Sequence, residues 1–186
     1  MKKLICSICG LVINEKNYNF NKAAFKDENK VDNIIFCPFC GVKSMFISEF
    51  TGILEFDRNT MDEASLKIID HAVKLEIFNG DFYKEASNLA KDEHNKEMFK
   101  ALANIEYAHA KVHKYLGGFK EDPTISKLDY SKYDNDDILL EMACKREIHA
   151  VEFYNKYKRN MESPVVKSIF DALAEVEIEH IALTEK

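Results

Sequence analysis

The sequence has no excess of basic residues: 26 Lys and Arg stand against 32 Asp and Glu, giving a formal net charge of −6. Binding to a nucleic-acid backbone needs clustered basic residues, so no nucleic-acid partner is expected. The chain lacks an apolar run of about 18 residues, so we expect no membrane span. Met1-Lys2-Lys3 is not followed by a long apolar run, which indicates no signal peptide and a cytoplasmic location. The absence of a Gly-rich nucleotide-binding motif means that electrons for any redox reaction must come from a partner.

The length and composition of the chain fit one ordinary domain and a small module. The chain has 186 residues, of which 46% are hydrophobic and 31% charged, so it can build a core. We predict three parts: a cysteine-containing module over residues 1–47, a linker over 48–58, and a helical domain over 59–186.

The helical domain is predicted to contain four helices. A capping-box pattern, Thr60 with Glu63, predicts the start of the first helix. The second is expected from about Asp92 to Leu116, where two glycines follow. After a polar crossover over residues 119–133, the third is expected from about 134 to 160, and the fourth opens at Ser163-Pro164. Four long helices with a long middle connection match a ferritin-like bundle.

Six residues of this domain form two matching sets that are 71 residues apart. A Glu on the first helix of each pair is followed on the second helix by Glu-x-x-His, and neighbouring Phe, Leu, Ala and Tyr positions repeat in step. The first set is Glu76, Glu106 and His109; the second is Glu147, Glu177 and His180.

This repeat predicts a centre of two metal ions inside the bundle. Residues three apart on a helix share a face, so each Glu-x-x-His can hold one metal region. Four carboxylates facing one another in a core would repel strongly, and two divalent cations would neutralise their charge. Carboxylates with two imidazoles suit iron or manganese. A helical duplication without a preserved site is the alternative.

With these motifs, residues 59–186 resemble the rubrerythrin and ferritin-like di-iron family. The resemblance implies two iron ions held by the six repeated residues. Glu106 and Glu177 would bridge the irons, while Glu76 with His109, and Glu147 with His180, would complete one iron each.

The sequence departs from the family at one position. Rubrerythrins typically carry a further Glu three residues after the first ligand of the third helix, and this chain has Ala150 there. In the family that Glu takes part in a redox-linked ligand exchange, so the change puts this movement in doubt. Tyr83 and Tyr154 each follow a predicted ligand by seven residues, and either could donate a hydrogen bond to a ligating carboxylate or be an ordinary core aromatic.

The N-terminal part carries two C-x-x-C pairs separated by 27 residues: Cys6 with Cys9, and Cys37 with Cys40. Each pair is followed by a glycine that allows a tight turn. Two such turns present four thiolates to one tetrahedral metal ion, either iron or zinc.

The second pair resembles the corresponding turn of rubredoxin. The chain lacks the Trp that rubredoxins have, so a zinc ribbon of similar shape stays open. A rubredoxin-like module ahead of a ferritin-like bundle is the domain order of reverse rubrerythrins, which favours iron. The predicted fold class is therefore mainly α: a ferritin-like four-helix bundle with a small N-terminal rubredoxin-like or zinc-ribbon β module.

The resemblance implies an oxidoreductase that reduces hydrogen peroxide, or another small oxidant, to water. Electrons would pass from an external reductase through a four-cysteine iron site, and relatives that transfer electrons between subunits imply a homodimer. Two other functions stay open: iron binding or buffering with a structural zinc, and an interaction module built on a helical scaffold.

Overall fold

The computed structural model describes residues 2–49, 56–58, 61–126, 128–130, 132–133 and 135–185. Within these residues, four long helices follow a small sheet of three strands. Helices α1 and α2 span Glu63–Leu89 and Glu93–Gly117, and α3 and α4 span Asp136–Tyr157 and Pro164–Thr184. The predicted fold class, mainly α with a small N-terminal β module, is confirmed.

The helix ends follow local capping chemistry. Asp62, Asp92, Asn135 and Ser163 are the N-caps, and each side chain accepts a hydrogen bond from a backbone N–H in the first turn. The end of α2 is set by Gly118, whose φ of 68° is in the left-handed region. The predicted cap at Thr60 lies outside the described residues; the structure caps α1 with Asp62, so Glu63 is its first helical residue.

The bundle consists of two antiparallel helical pairs. Helix α1 packs along α2 and α3 packs along α4, and the crossover after Gly118 joins the pairs. Asp136, at the start of α3, accepts hydrogen bonds from the backbone of Lys91 and Asp92 between α1 and α2, at 2.8 and 3.0 Å. This carboxylate links the start of α3 to the turn between α1 and α2. Among the described residues, no helix is both long and apolar enough to span a membrane.

The N-terminal module contains strands β1 (Leu4–Cys6), β2 (Val12–Ile13) and β3 (Ile47–Ser48). They form an antiparallel sheet in the order β2-β1-β3, with Leu4 opposite Ile13 and Cys6 opposite Ile47. The sheet thus extends one residue beyond the predicted boundary at residue 47. Most of the predicted linker, residues 50–55, lies outside the described residues.

The module packs directly on the bundle. Gly41 lies so close to α4 that a Cβ atom there would be 2.6 Å from Cγ1 of Val176. Lys43 forms an ion pair with Glu175 at 3.0 Å, and Asn104 of α2 donates a hydrogen bond to Asn21 of the module at 3.0 Å. The turn containing Cys37 and Cys40 is therefore held against α2 and α4.

Candidate metal centres

The four cysteines of the two C-x-x-C turns come together at one point. The sulfur of Cys6 lies 3.7 Å from that of Cys40, and the sulfur of Cys9 lies 3.7 Å from that of Cys37. A tetrahedron with metal–sulfur bonds of about 2.3 Å has sulfur–sulfur edges of about 3.8 Å, so the spacing fits one metal ion. Gly10 and Gly41 have φ values of 73° and 77°, the conformation that each turn requires.

Burial makes this site dependent on a cation. Cys6, Cys37 and Cys40 are fully buried, whereas Cys9 is partly exposed. Burial raises the pKa of the Cys37 and Cys40 thiols well above the usual value. A bound metal ion would offset this effect and hold all four sulfurs as thiolates. The geometry does not distinguish iron from zinc, since both accept four thiolates.

The six repeated residues also converge, in the middle of the bundle. Each of the four helices contributes, because Glu76 lies on α1, Glu147 on α3, and one Glu-x-x-His on each of α2 and α4. All six side chains have no solvent exposure: Glu76, Glu106, His109, Glu147, Glu177 and His180. The i, i+3 spacing places each Glu and its His on the core face of their helix.

The ligand atoms form two overlapping groups, in each of which they lie within 4.8 Å of one another. The first group contains Glu76 and His109, the second contains Glu147 and His180, and both contain Glu106 and Glu177. This is the pairing that the family resemblance implies, with two shared carboxylates and one separate Glu and His for each ion.

Burial and mutual repulsion favour the protonated form of three of the four carboxyl groups. Burial, with added repulsion from the carboxylates of Glu106 and Glu177, raises the pKa of Glu76 well above its usual value. Burial and neighbouring carboxylates also raise the pKa of Glu106 to about 8 and that of Glu147 to about 7. For Glu177 burial opposes ionisation, but the imidazoles of His109 and His180 more than offset it and lower the pKa.

Several polar atoms at this centre have no hydrogen-bond partner among the described residues. They are Oε2 of Glu76, both carboxylate oxygens of Glu106, Oε2 of Glu147, Oε1 of Glu177, Nδ1 of His109 and Nε2 of His180. Two of these seven atoms, Nδ1 of His109 and Oε1 of Glu177, lie 3.0 Å from each other as an ion pair. Leaving one buried polar atom unpaired costs about 1–3 kcal/mol, so the other atoms need a compensating ligand. Two divalent cations supply four positive charges for the four carboxylates, so the donor set fits two metal ions.

The orientation of His109 agrees with a role as ligand. Its Nε2 lies 2.9 Å from the backbone carbonyl oxygen of Cys40, to which only a protonated nitrogen can donate. Nδ1 lies 3.0 Å from Oε1 of Glu177, and with a metal ion bound the neutral ring would offer the lone pair of Nδ1 to that ion. A hydrogen bond of this kind commonly fixes the tautomer of a metal-binding histidine.

The second histidine presents the same ring nitrogen to the carboxylates. Nδ1 of His180 lies 3.0 Å from Oε2 of Glu177 and 3.5 Å from oxygens of both Glu106 and Glu147. Both histidines therefore direct Nδ1 towards the carboxylate of Glu177, whereas Nδ1 of His109 is 4.0 Å from Glu106 of its own half.

Tyr83 and Tyr154 each contact a carboxylate that belongs to the other half of the repeat. The hydroxyl of Tyr83 donates to Oε1 of Glu147, and that of Tyr154 donates to Oε1 of Glu76. Burial, followed by the neighbouring carboxylates, raises the pKa of both hydroxyls well above the usual value. Both tyrosines therefore stay protonated donors, and each couples a ligand of one half to a helix of the other.

His113 is a further polar residue of this centre, although its sequence position also suits an ordinary surface or core histidine. It is fully buried, and its Nε2 lies 2.7 Å from the hydroxyl of Tyr154. Burial and the nearby His109 lower its pKa to about 3, so the neutral ring donates to Tyr154, which donates to Glu76. Its position four residues after His109, on the same helix face, is the signal that could have identified it.

A segment of the chain matches a known protein family. Residues 139–186 match the family model described as Rubrerythrin. The matched segment covers nearly all of α3 and the whole of α4, and it contains Glu147, Glu177 and His180. The resemblance to rubrerythrins is thereby confirmed for these residues, and the four-cysteine cluster fits a rubredoxin-like module. Neither the curated proteins nor the solved structures gave a match.

Proposed function

We propose that this protein is a non-haem di-iron oxidoreductase of the rubrerythrin type that reduces hydrogen peroxide to water. We further propose that the four-cysteine site holds iron and receives electrons from an external reductase. The observation that carries the proposal is the hydrogen bond between His109 and Cys40, at 2.9 Å, which connects the two candidate centres within one chain.

The choice of iron for the bundle rests on the donor set and the family. Four carboxylates and two imidazoles are the hard and intermediate donors that suit iron. When bound, two ferrous ions would together supply the two electrons that reduction of one peroxide molecule requires. The rubrerythrin match covers one carboxylate from α3 and the Glu-x-x-His of α4.

The protein's own part is to hold the ligands and to exclude bulk water. The six ligand residues have no exposed surface, and Tyr83 and Tyr154 fix one oxygen of Glu147 and of Glu76. Both hydroxyls keep a proton directly beside the centre, because their pKa is raised. Such fixed donors around a buried site lower the reorganisation that a reaction requires.

The contact between the two centres favours a redox function for the four-cysteine site over a purely structural one. The path runs from the Cys40 backbone through one hydrogen bond to the ring of His109. The partly exposed Cys9 gives an external donor the shortest approach to the cluster. A homodimer remains a prediction from the resemblance, and this path within one chain would serve electron transfer without it.

The test is metal analysis followed by rapid kinetics on the full-length protein, purified anaerobically from iron-supplemented cells. We expect about three irons per chain, two for the bundle and one for the four thiolates. After reduction and mixing with hydrogen peroxide, the visible absorption of the oxidised four-thiolate iron should return within seconds. In Glu177→Ala, which loses a shared carboxylate, this return should be at least about 100-fold slower.

Two results would overturn parts of the proposal. Zinc in the four-cysteine site would replace the relay by a structural role and favour the iron-buffering function. Reoxidation at the same rate in Glu177→Ala and in the unchanged protein would show that peroxide reacts elsewhere. Glu152→Gln, an exposed change on α3, is the control that should behave as the unchanged protein.

A further inference from the structure

An open cleft of about 600 Å³ lies between α1 and α3, beneath the crossover segment. Its apolar walls include Leu75 and Phe78 from α1, Met142 from α3 and Ile125 from the crossover. The volume is within the range of small-molecule sites, and an apolar lining with few polar groups is typical of them. No predicted metal ligand lines the cleft, so it is separate from both centres.

The charge of the lining is unlike that of the whole chain. Among the described residues, the cleft is lined by three basic side chains and two imidazoles but by no carboxylate, although the chain has 32 acidic residues and a net charge of −6. Lys74 and Lys145 stand at the rim, each paired with an acidic residue four positions earlier. Such exposed pairs are weak, at about 0.3–0.5 kcal/mol, so both ammonium groups can turn towards a ligand.

Arg146 supplies a buried positive charge at the base of the cleft. Its side chain is only 9% exposed, and its guanidinium carbon lies 4.4 and 4.3 Å from the ring centres of Phe78 and Phe82. No carboxylate of the described chain forms an ion pair with it. Its hydrogen bonds go to two neutral groups, the Tyr130 hydroxyl at 3.3 Å and Oδ1 of Asn79 at 3.5 Å.

Two buried donors at the same place have no partner among the described residues. They are Nε of Arg146 and Nδ2 of Asn79, and both residues line the cleft. Asn79 is 1% exposed, so bulk water does not satisfy its amide. A guanidinium offers paired donors in one plane, which match the two oxygens of a carboxylate, and the amide of Asn79 adds a further donor at the same place.

We propose that this cleft binds a small organic carboxylate with an apolar body. The carboxylate would accept hydrogen bonds from Arg146 and Asn79, and the apolar body would lie against Phe78 and Met142. Lys74 and Lys145 would attract the anion at the rim. None of these residues is among the predicted metal ligands, so binding in the cleft does not require the proposed peroxide chemistry.

The first experiment compares two ligands of the same shape on the metal-loaded, full-length protein. The probes are 3-phenylpropanoate and its neutral amide, 3-phenylpropanamide, titrated by isothermal calorimetry. We expect one carboxylate to bind per chain and the amide to bind at least about tenfold more weakly, since a bidentate guanidinium–carboxylate contact is charge-assisted. No binding of the carboxylate, or equal binding of both probes, would overturn the proposal.

The second experiment uses matched variants. Arg146→Met should weaken carboxylate binding at least about tenfold, whereas Arg159→Met, the same change at an exposed position, should leave it unaltered. Loss of a buried arginine can affect folding. The double variant Lys74→Gln/Lys145→Gln therefore removes two positive charges at exposed positions on the rim of the cleft. It should weaken binding about two- to fivefold, with Lys67→Gln as its unaffected control.

Carboxylates can also bind directly to metal ions, so the visible absorption of the metal centres is recorded during the titration. We expect the spectrum to stay constant while heat is released. A spectral change, together with binding that Arg146→Met does not weaken, would assign the carboxylate to the metal centre and overturn the cleft site.

Discussion

At the scale of single residues, the two halves of the repeat contain the same candidate ligands but differ in the groups that contact those ligands. Nε2 of His109 contacts the Cys40 carbonyl, whereas Nε2 of His180 has no partner among the described residues. Tyr154 accepts from His113, and the position of the repeat that corresponds to His113 is Thr184, which bonds to the backbone of its own helix. The two candidate metal positions therefore differ in their surroundings.

Glu106 is one of the two shared carboxylates, so its charge should matter for both metal ions. We predict that Glu106→Gln reduces the metal content of the bundle from about two ions to less than one, because a neutral amide is a poor bridging ligand. The ion at the four cysteines should remain. Metal analysis of the purified protein measures both quantities.

The same substitution has an opposite effect on the metal-free protein. Burial raises the pKa of Glu106 to about 8, so the carboxylate destabilises the empty site and the neutral amide should raise the melting temperature. Glu152→Gln is the surface control, with no change in either measurement. Full metal content in Glu106→Gln would contradict the shared role of this residue.

The two tyrosines allow a direct comparison of their hydrogen bonds. Tyr83→Phe removes one bond to Glu147, whereas Tyr154→Phe leaves both Glu76 and His113 without their partner. We predict losses in the free energy of unfolding of about 1 kcal/mol for the first and about 2–3 kcal/mol for the second. Denaturant unfolding of the metal-loaded variants measures them, and equal losses would show that His113 adds nothing to the Tyr154 contact.

The sequence was sufficient to predict which six residues converge in the bundle, and it marked Tyr83 and Tyr154 beside them, but it did not mark the polar groups further from the centre. Duplication marks the ligands, because the same residue types recur at one offset in a chain with only six histidines. Arg146 and Asn79 have no such mark, and their partners, Tyr130 among them, come from distant parts of the chain. The burial of such a residue depends on contacts with the crossover segment. It therefore cannot be predicted from the sequence of the helix that contains the residue.

At the scale of elements, local signals predicted the start of α4 and the end of α2, but they placed the cap of α1 at Thr60, two residues before Asp62. Ser163 caps α4 as expected, and the glycines after Leu116 end α2 through the left-handed conformation of Gly118. The packing of the module on the bundle was not predictable. It depends on pairs such as Gly41 with Val176, which are far apart in sequence and carry no shared pattern.

The contact of Gly41 with α4 should be sensitive to a single methyl group. Gly41→Ala introduces a Cβ 2.6 Å from Val176, at a φ of 77° that disfavours any side chain. We predict a loss of about 2–4 kcal/mol, from about 1–2 for the backbone conformation and about 1–2 for the overlap. Thermal unfolding and the release of metal from the four-cysteine site are the measurements.

Two further variants separate the causes. Gly118→Ala has a φ of 68° but only Arg58 nearby, at 3.5 Å, so it should lose the conformational part alone. Val176→Ala in the Gly41→Ala background removes the overlap, and the double-mutant cycle should recover about 1–2 kcal/mol. If the double-mutant cycle shows no coupling energy, the module shifts at this contact without a loss in the free energy of unfolding.

At the scale of the whole molecule, stability and metal binding are coupled through the buried charges. Without metal, the folded protein must hold Glu76, Glu106 and Glu147 in a water-free core, and burial raises the pKa of all three. Folding therefore takes up protons above pH 4.5, the ordinary value for Glu. The metal-loaded protein has exchanged these protons for cations, so the two forms should respond to pH in opposite ways.

The last prediction follows from the signs of these shifts. A carboxyl group whose pKa is raised on folding stabilises the folded state below its unfolded value and loses that contribution as pH rises towards about 7 for Glu147 and about 8 for Glu106. His180, whose pKa is also raised, loses its contribution as pH rises above 6.5, and Glu177, whose pKa is lowered, acts only below 4.5. The lowered pKa of His113, about 3, and that of Cys6 act in the opposite direction in this range. Three carboxyl groups have a raised pKa, so the metal-free protein should still become less stable between about pH 5 and pH 7, by about 1.4 kcal/mol per unit for each group that is not offset. Thermal unfolding followed by circular dichroism should show a melting temperature that falls by at least about 2–4 °C per pH unit, while that of the metal-loaded protein does not fall.

Glu106→Gln should flatten the pH dependence of the melting temperature of the metal-free protein, because Gln has no proton to lose. A melting temperature that rises with pH in the metal-free protein would contradict this account, since it would mean that the carboxylates are not held against one another in the folded core.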